Sequence, residues 1–322
     1  MFSVIVPLYN KAKYIEKCLQ SVFNQTFKEF ELIVIDDGSS DDGYSIAKYL
    51  CNSLVVSEWS KSPLTKVLKQ ENRGVSTTRN YGVELSKFDY IAFLDADDWW
   101  ATDYLQKMKS HIDKYPEAGI YGSSYYKVKN NRFIPAMIGV EPEFTDGIIN
   151  YFEAYAITLW MPIWTGSTII KKSIFDESGG FNPKLKLGED FDLWARIASR
   201  YPVAFLNKPL AFYNQDVDVN TRAVGVRLYE TNEHMLFTKY SDELVKNPDF
   251  VYLYERLALY GLQPYYAVKK NWKEVKSILK TIHWKNHELK YFIYYRLFSP
   301  SLLKLWLSFK VVGSKIKKMV LK

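Results

Sequence analysis

The chain has 322 residues, 48% of them hydrophobic and 25% charged, enough for one large domain with an appendage or for two domains. Two cysteines, Cys18 and Cys51, exclude a disulfide framework and a cysteine metal site, and no uncharged run is long enough for a membrane-spanning helix. The formal net charge of +7 is uneven: residues 269 to 322 hold 14 Lys or Arg against Glu274 and Glu288, a segment charge of +12, while residues 1 to 268 carry −5.

The opening MFSVIVPLYN lacks a basic n-region and meets Pro7 too early for a signal peptide, so a cytosolic compartment is the default. FSVIV (2 to 6) is a β-branched run that stops at Pro7. Ile15, Leu19, Val22 and Phe23 then recur at helical spacing, with Asn10 placed to cap that helix. ELIVI (31 to 35) is a second strand, ending at Asp36, and TKVLKQ (65 to 70) and YIAFL (90 to 94) read as the third and fourth. VSTTRNYGVELS (75 to 86) fits a helix between those two. Strands alternating with helices predict an α/β fold with a mixed, mainly parallel sheet flanked by helices.

The second half is less regular. KMKSHIDKY (107 to 115) reads as helix, AGIYGSSYYKV (118 to 128) as strand, and IWTGSTIIKKSIF (163 to 175) as a strand entering a turn. SGGFNPKLKLGED (178 to 190) is a loop followed by the helix EDFDLWARIASRY, and from about 220 onward the pattern is helical. These changes divide the chain at 1–100, 101–216 and 217–322, the last part basic and aromatic from about 269.

In open α/β sheets ligands bind beyond the carboxyl ends of the strands. Those ends carry Pro7, Tyr9 and Asn10; then Asp36, Asp37 and Gly38; then Asn72, Arg73 and Gly74; then Asp95 and Asp97. Asp95-Ala96-Asp97, directly after a buried strand, suits a hard divalent cation, Mn²⁺ or Mg²⁺, bridging to a diphosphate. The structural alternative is a turn at Asp95 and a helix cap at Asp97 or Asp98. A carboxylate of Asp36 or Asp37 can accept the imino N–H of a pyrimidine, or simply form an Asp-Gly turn with Gly38 and Ser39. Tyr9 can stack on a base or fill the core, and Arg79 can reach a phosphate or form a surface ion pair.

In this order VIVPLYN, VIDDGSSD, ENRGVSTTRNYG, FLDADD and GGF…GEDFDLW resemble the family 2 glycosyltransferases with the GT-A fold, over about residues 1 to 215. The resemblance implies inverting transfer of a sugar from a nucleotide diphosphate donor to an acceptor hydroxyl. By position it puts Pro7, Tyr9, Asp37 and Asp36 on the nucleoside and Arg79 near the donor phosphates. Asp95, Ala96 and Asp97 would serve the diphosphate and metal, with Asp97 the more direct ligand. The catalytic base would come from Glu189-Asp190, the second member first, although acids at a helix start also favour the helix dipole. Many relatives place a His or a basic residue after the acidic helix; here AFYNQDVDVNTR (211 to 222) has no His, and Gln215, Asp216 or Arg222 are the substitutes. Trp160 and Trp164 can floor a sugar ring or pack in the core.

Neither a G-x-G-x-x-G after the first strand nor a P-loop occurs, which argues against an oxidoreductase on a nucleotide-binding sheet. A non-catalytic glycan- or membrane-binding protein on the same scaffold is the rival from another class. His111, His234, His283 and His287 are scattered; the last two are four apart, as metal ligands on a helix would be, but a solvated or membrane-facing surface fits them better. The segment KYFIYYRLFSPSLLKLWLSFKVVGSKIKKMVLK mixes aromatic and basic residues, which suits amphipathic helices on an anionic membrane and a lipid-linked, polyprenyl-type glycan acceptor. With the family resemblance, this implies an expected location at the inner face of the cell membrane and a role in surface polysaccharide assembly. Pro300 should divide the segment, with a second helix from near Ser301. No nucleic-acid motif accompanies the charge; packing on the catalytic domain, or on a second copy as a homodimer, is the alternative.

Overall fold

Strand β1 (Phe2–Leu8) is buried along its whole length, as is β2 (Phe30–Asp36) beside it. Burial on both faces explains why neither strand alternates polar and apolar residues. The structure, a computed structural model, describes residues 1–55, 64–217 and 228–309. The chain divides into two units, Met1–Gly225 and Val226–Lys322.

In the first unit β3 (Thr65–Lys69), β2, β1 and β4 (Tyr90–Phe93) lie side by side in that order, all parallel. Helix α1 (Ala12–Phe23) crosses from β1 to β2, α2 (Gly43–Val55) from β2 to β3, and α3 (Val75–Glu84) from β3 to β4. The strand order reverses between β1 and β4, so a crevice opens at their carboxyl ends.

The sheet continues through a mixed half. A two-residue strand β5 (Trp99–Trp100) follows β4, then α4 (Tyr104–Lys114) and β6 (Ile120–Lys129). The hairpin partner β7 (Arg132–Pro135), then β8 (Asp146–Ile149) and α5 (Tyr151–Thr158), come next. Strand β9 (Thr168–Lys171) runs antiparallel to both β4 and β6, and a short α6 (Lys172–Glu177) leads on to α7 (Glu189–Ala198). Strand β10 (Val203–Asn214) lies parallel to β6, with register shifts around Pro209, and closes on β5 and β8. The β6–β7 turn is Asn130-Asn131, both at positive φ, the conformation a two-residue hairpin needs.

Helix α1 buries Ile15, Cys18, Leu19, Val22 and Phe23, the stripe expected from its spacing. Its start differs from expectation. Asn10 does not cap it: at φ 52 its side chain turns back to accept from Ser40 N (2.9 Å), and Asp41 Oδ2 accepts from Ala12 N (2.8 Å) instead. The cap is therefore supplied from the β2–α2 turn, which a local sequence signal does not reveal. Nor does Asp97 or Asp98 cap a helix; Asp98 N closes a turn onto Asp95 O (3.0 Å), and β5 comes next.

The second unit is helical among its described residues. Ser241 caps α8 (Asp242–Lys246), and Asn247 caps α9 (Pro248–Gly261) by accepting from Asp249 N and Phe250 N. Then come α10 (Gln263–Val268), α11 (Trp272–Thr281) and α12 (Leu289–Phe292). His283 and His287 flank a 3-10 turn instead of sharing a helix, and both meet the buried Glu255, at 2.7 and 2.6 Å. Neither the helical metal pair nor a solvated His287, whose side chain is 3% exposed, matches that arrangement. Residues 300–309 form a helix whose first turn is held by Ser299, with Oγ accepting from Leu302 N (3.2 Å), so Pro300 does begin a new helix. Residues 310–322 lie outside the described residues, and among those described no helix is long and apolar enough to cross a membrane.

Candidate active site

At the end of β1, Pro7 is buried, while Tyr9, just beyond the strand, is 48% exposed and presents its ring. The neighbouring strand end is bound in place: Asp37 N donates to Leu8 O (2.8 Å), and Ser39 N donates to Asp36 Oδ2 (3.2 Å). Gly38 sits at φ +76 with Asn72 N so close that a Cβ would meet it at 2.9 Å, hence glycine. Asp37 accepts from Gln70 Nε2 (2.7 Å), Arg73 N (2.8 Å) and Gly74 N (2.9 Å). Its carboxylate thus ties the β3–α3 loop to β2, with three of about four acceptor positions taken. Asp36 is fully buried, and its Oδ1 has no hydrogen-bond partner among the described residues.

The Asp95-Ala96-Asp97 segment leaves β4 between two cations. Arg79 Nη2 donates to Asp95 Oδ1 at 2.7 Å, and Lys11 Nζ donates to Asp97 Oδ2, also at 2.7 Å. Ala96 is buried and keeps the two carboxylates on the rim. Burial pushes the Asp97 carboxyl up, with Lys11 opposing and Asp95 adding to it. Asp98 is buried, accepts from Asn214 N (2.7 Å), and so ties β10 to the end of β4; burial, then Asp97 and Asp95, push its carboxyl well up.

Among the described residues no three His, Cys, Asp or Glu side chains cluster closely enough to cage a metal. Asp95 and Asp97 nevertheless fit a hard cation by donor type. Each carboxylate has one oxygen engaged by a cation, their side chains are 27% and 18% exposed, and Mg²⁺ or Mn²⁺ habitually completes its shell with water and phosphate. A cleft of about 250 Å³ bordered by Lys13, Lys17, Trp99 and Asn214 reaches Asp97 from the solvent.

The acidic pair comes from the other side. Gly188, at φ +79, turns the loop into α7, so Glu189 and Asp190 stand at the helix start. Glu189 Oε1 accepts from Arg79 Nη1 (3.2 Å), which makes Arg79 a buried link between Asp95 and Glu189, its guanidinium 5.2 Å over the Phe181 ring. Burial works against the Arg79 charge, but Asp95, Glu189 and Asp190 more than offset it, and the side chain stays protonated. Asp190 Oδ1 accepts from Phe191 N (2.7 Å). Burial, reinforced by the neighbouring Glu189, pushes the Asp190 carboxyl up to about 7. Tyr125 and Tyr155 lie near enough to feel its charge.

Trp164 is buried, its ring against Tyr125 (5.5 Å) and Tyr213 (4.9 Å), so it packs the core and is no open floor. Trp160 is partly exposed, with Lys127 Nζ 3.5 Å from its ring centroid. Of the residues offered in place of the missing His, Gln215 N donates to Val128 O and Asp216 accepts from Asn130 N, so both hold the β6–β7 hairpin; Arg222 lies outside the described residues. Sequence reasoning missed Lys11 and Gln70. A signal for Lys11 existed, since three carboxylates ending an apolar strand require a nearby cation.

A sheet with this strand order, its polar residues gathered at the switch between β1 and β4, defines a GT-A-type α/β transferase scaffold. The model of the family described as "Glycosyl transferase family 2" matches residues 3–177, and the chain belongs to that family. Glycosyltransferase GlyA of Streptococcus pneumoniae is 38% identical over 38% of the chain, which spans 16% of GlyA. The glycosyltransferase EpsJ of Bacillus subtilis is 27% identical over 67% of the chain and 61% of EpsJ. The chain thus spans less than two thirds of these relatives' lengths. Among solved structures, S. aureus TarS 1-349 with UDP-GlcNAc superposes with a TM-score of 0.67 over 86% of the chain and 79% of TarS, at 19% identity. The same protein with UDP gives 0.55 over 66% and 60%, at 24% identity. Both likenesses concern the fold.

Proposed function

We propose that the chain is an inverting glycosyltransferase that moves a sugar from a nucleotide diphosphate donor, a UDP-sugar first, to a hydroxyl of a glycan acceptor. The observation that carries this is the join through Arg79 between the Asp95-Ala96-Asp97 segment and the Glu189-Asp190 pair. Carboxylates for a metal diphosphate and a carboxyl poised near neutrality stand at one rim.

Tyr9 offers its face to the base, and Asp37 its remaining acceptor position to an imino N–H, on a loop it has already made rigid. Asp95 and Asp97 hold Mn²⁺ or Mg²⁺ when it is bound, and the cation's chemistry there is to stabilise negative charge on the departing diphosphate. Asp190 takes the acceptor hydroxyl proton as that oxygen attacks; a carboxyl near 7 suits this because a substantial fraction is ionised at neutral pH and that fraction is more basic than an ordinary carboxylate. Glu189 keeps its charge committed to Arg79 and so leaves the proton transfer to its neighbour. Trp160, partly exposed with Lys127 over its ring, is assigned to the acceptor sugar in this reading.

For the second unit we propose an anionic membrane surface, where a polyprenyl-linked acceptor resides, at the inner face of the cell membrane. Leu302, Leu305, Trp306 and Phe309 are exposed on a helix that also carries Lys304, and residues 269 to 322 have a charge of +12. Apolar groups beside cations suit a helix lying among anionic headgroups.

The experiment is a screen of nucleotide sugars for hydrolysis and transfer by the purified chain, with Mn²⁺ and with EDTA. Release of nucleoside diphosphate from at least one donor, lost in EDTA, is expected. Binding of glycans without turnover of any donor would support the non-catalytic alternative.

A further inference from the structure

The two carboxylates of the Asp95-Ala96-Asp97 segment each have a cation built into the fold, and the two cations are held very differently. Arg79 is 4% exposed, forks between Asp95 and Glu189, and lies over Phe181. Its planar fork satisfies two acids at once, so it cannot leave one without stranding the other. Lys11, with its side chain 13% exposed, stands immediately after Asn10 and at the first position before α1, with its ammonium on Asp97 Oδ2 at 2.7 Å and 6.0 Å from the Tyr14 ring. Lysine carries a point charge on a flexible stem, and its amine can be redirected by a few bond rotations.

A divalent cation approaching Asp97 therefore meets an ammonium already in contact with that carboxylate. Like charges so close repel, even with the cation on the other oxygen of Asp97, and the repulsion is relieved most when Lys11 moves to another anion nearby. The group that brings such an anion to this rim is the nucleotide's diphosphate.

We propose that Lys11 is a displaceable counter-cation: it neutralises Asp97 in the free protein and passes to the diphosphate when a divalent cation takes Asp97, so that metal and nucleotide bind as a pair. This rests on the reading of Asp95 and Asp97 as the metal carboxylates. Arg79 stays in place throughout and keeps Asp95 fixed while the exchange occurs at Asp97. Because coupling between two ligands is reciprocal, UDP tightens Mn²⁺ by the same factor by which Mn²⁺ tightens UDP. The arrangement also protects the free protein, since Asp97 is never left partly buried without a positive partner.

The test measures Mn²⁺ bound to the full chain by electron paramagnetic resonance, with and without UDP, for the wild type, Lys11→Met, Lys11→Gln and Lys11→Arg. Free Mn²⁺ is fixed independently of its complex with UDP. In the wild type UDP should tighten Mn²⁺ about tenfold or more, within the usual range of coupling between ligands. Lys11→Met should bind Mn²⁺ without UDP about tenfold tighter than the wild type, and its UDP effect should shrink by about the same factor, leaving only the part that direct phosphate coordination supplies. Lys11→Gln, which can still hydrogen-bond Asp97 if the methionine variant folds poorly, should shift the same way, and Lys11→Arg should resemble the wild type. Unchanged Mn²⁺ affinity in both neutral variants, with the UDP effect intact, overturns the proposal and leaves the metal reading standing. A wild type that binds UDP but takes up no Mn²⁺ in either condition overturns the metal reading itself.

Discussion

Arg79 and Glu189, 110 positions apart in the chain, share a hydrogen bond of 3.2 Å from Nη1 to Oε1. The other arm of the same guanidinium holds Asp95, so the β4 end and the α7 start are fixed relative to one another by one side chain. Removing it leaves two carboxylates unpaired at a mostly buried position. Arg79→Met should lower stability by about 3 kcal/mol or more, the usual consequence of breaking a buried pair from one side. Arg79→Lys should recover only part, since an ammonium cannot make both contacts in the same geometry. Urea denaturation of the three proteins measures this.

With Asp190 as the proposed base, its carboxyl, raised to about 7, should set the pH dependence. A base must be ionised to accept a proton, so kcat/KM should rise with pH through about 7 and be lost below it, tenfold per unit once protonated. Glu189→Gln removes the neighbouring charge that raises Asp190 and should move the midpoint to lower pH. A pH–rate profile with an acid limb near 4 in the wild type would exclude Asp190 as the base with the environment seen here.

The proposed nucleotide preference rests on Asp37, whose three backbone and side-chain contacts leave about one acceptor position. Uracil and thymine offer an imino N–H there; cytosine N3 has no hydrogen. UDP should bind at least about tenfold more tightly than CDP, the value of roughly one hydrogen bond to a charged group. Guanine also carries an N–H, so GDP belongs in the same calorimetric series. Asp37→Asn should reduce the preference and also loosen residues 70 to 74, detectable as faster amide exchange at Arg73 and Gly74.

The second unit makes a separate prediction. Full-length protein should co-sediment with anionic vesicles at low salt and remain in the supernatant with neutral ones. Leu305→Asp with Phe309→Asp, both at exposed positions, should abolish sedimentation without lowering the melting temperature. Supernatant protein with both lipids would remove the membrane from the proposal.

The strands were legible because burial on both faces writes itself as unbroken apolar runs, as in Val4 to Val6 and Leu32 to Ile35. The polar clusters after β1, β2 and β4 were legible for the same reason, since each interrupts such a run; the one after β3 follows the half-buried TKVLK and was marked only by Asn72, Arg73 and Gly74. The partners across space were not. Asp41 capping α1, Lys11 on Asp97, and Arg79 bridging to a helix more than a hundred residues away depend on tertiary placement that no local period encodes. The short strands β5, β7 and β8, at two to four residues, are too brief to carry a pattern. Trp160 and Trp164 looked alike in the sequence; only packing against Tyr125 and Tyr213 separates them.

The decisive measurement compares donor turnover and UDP binding in the wild type and Asp190→Asn, with Glu189→Gln beside them. Asparagine keeps the size of the side chain and cannot accept the proton. Transfer should fall by about 10²-fold or more in Asp190→Asn, a range set by loss of a general base, while UDP affinity stays within about twofold. Glu189→Gln should bind UDP and retain measurable transfer. An active Asp190→Asn alongside a dead Glu189→Gln would contradict the assignment of the base and give that role to the carboxylate bound to Arg79.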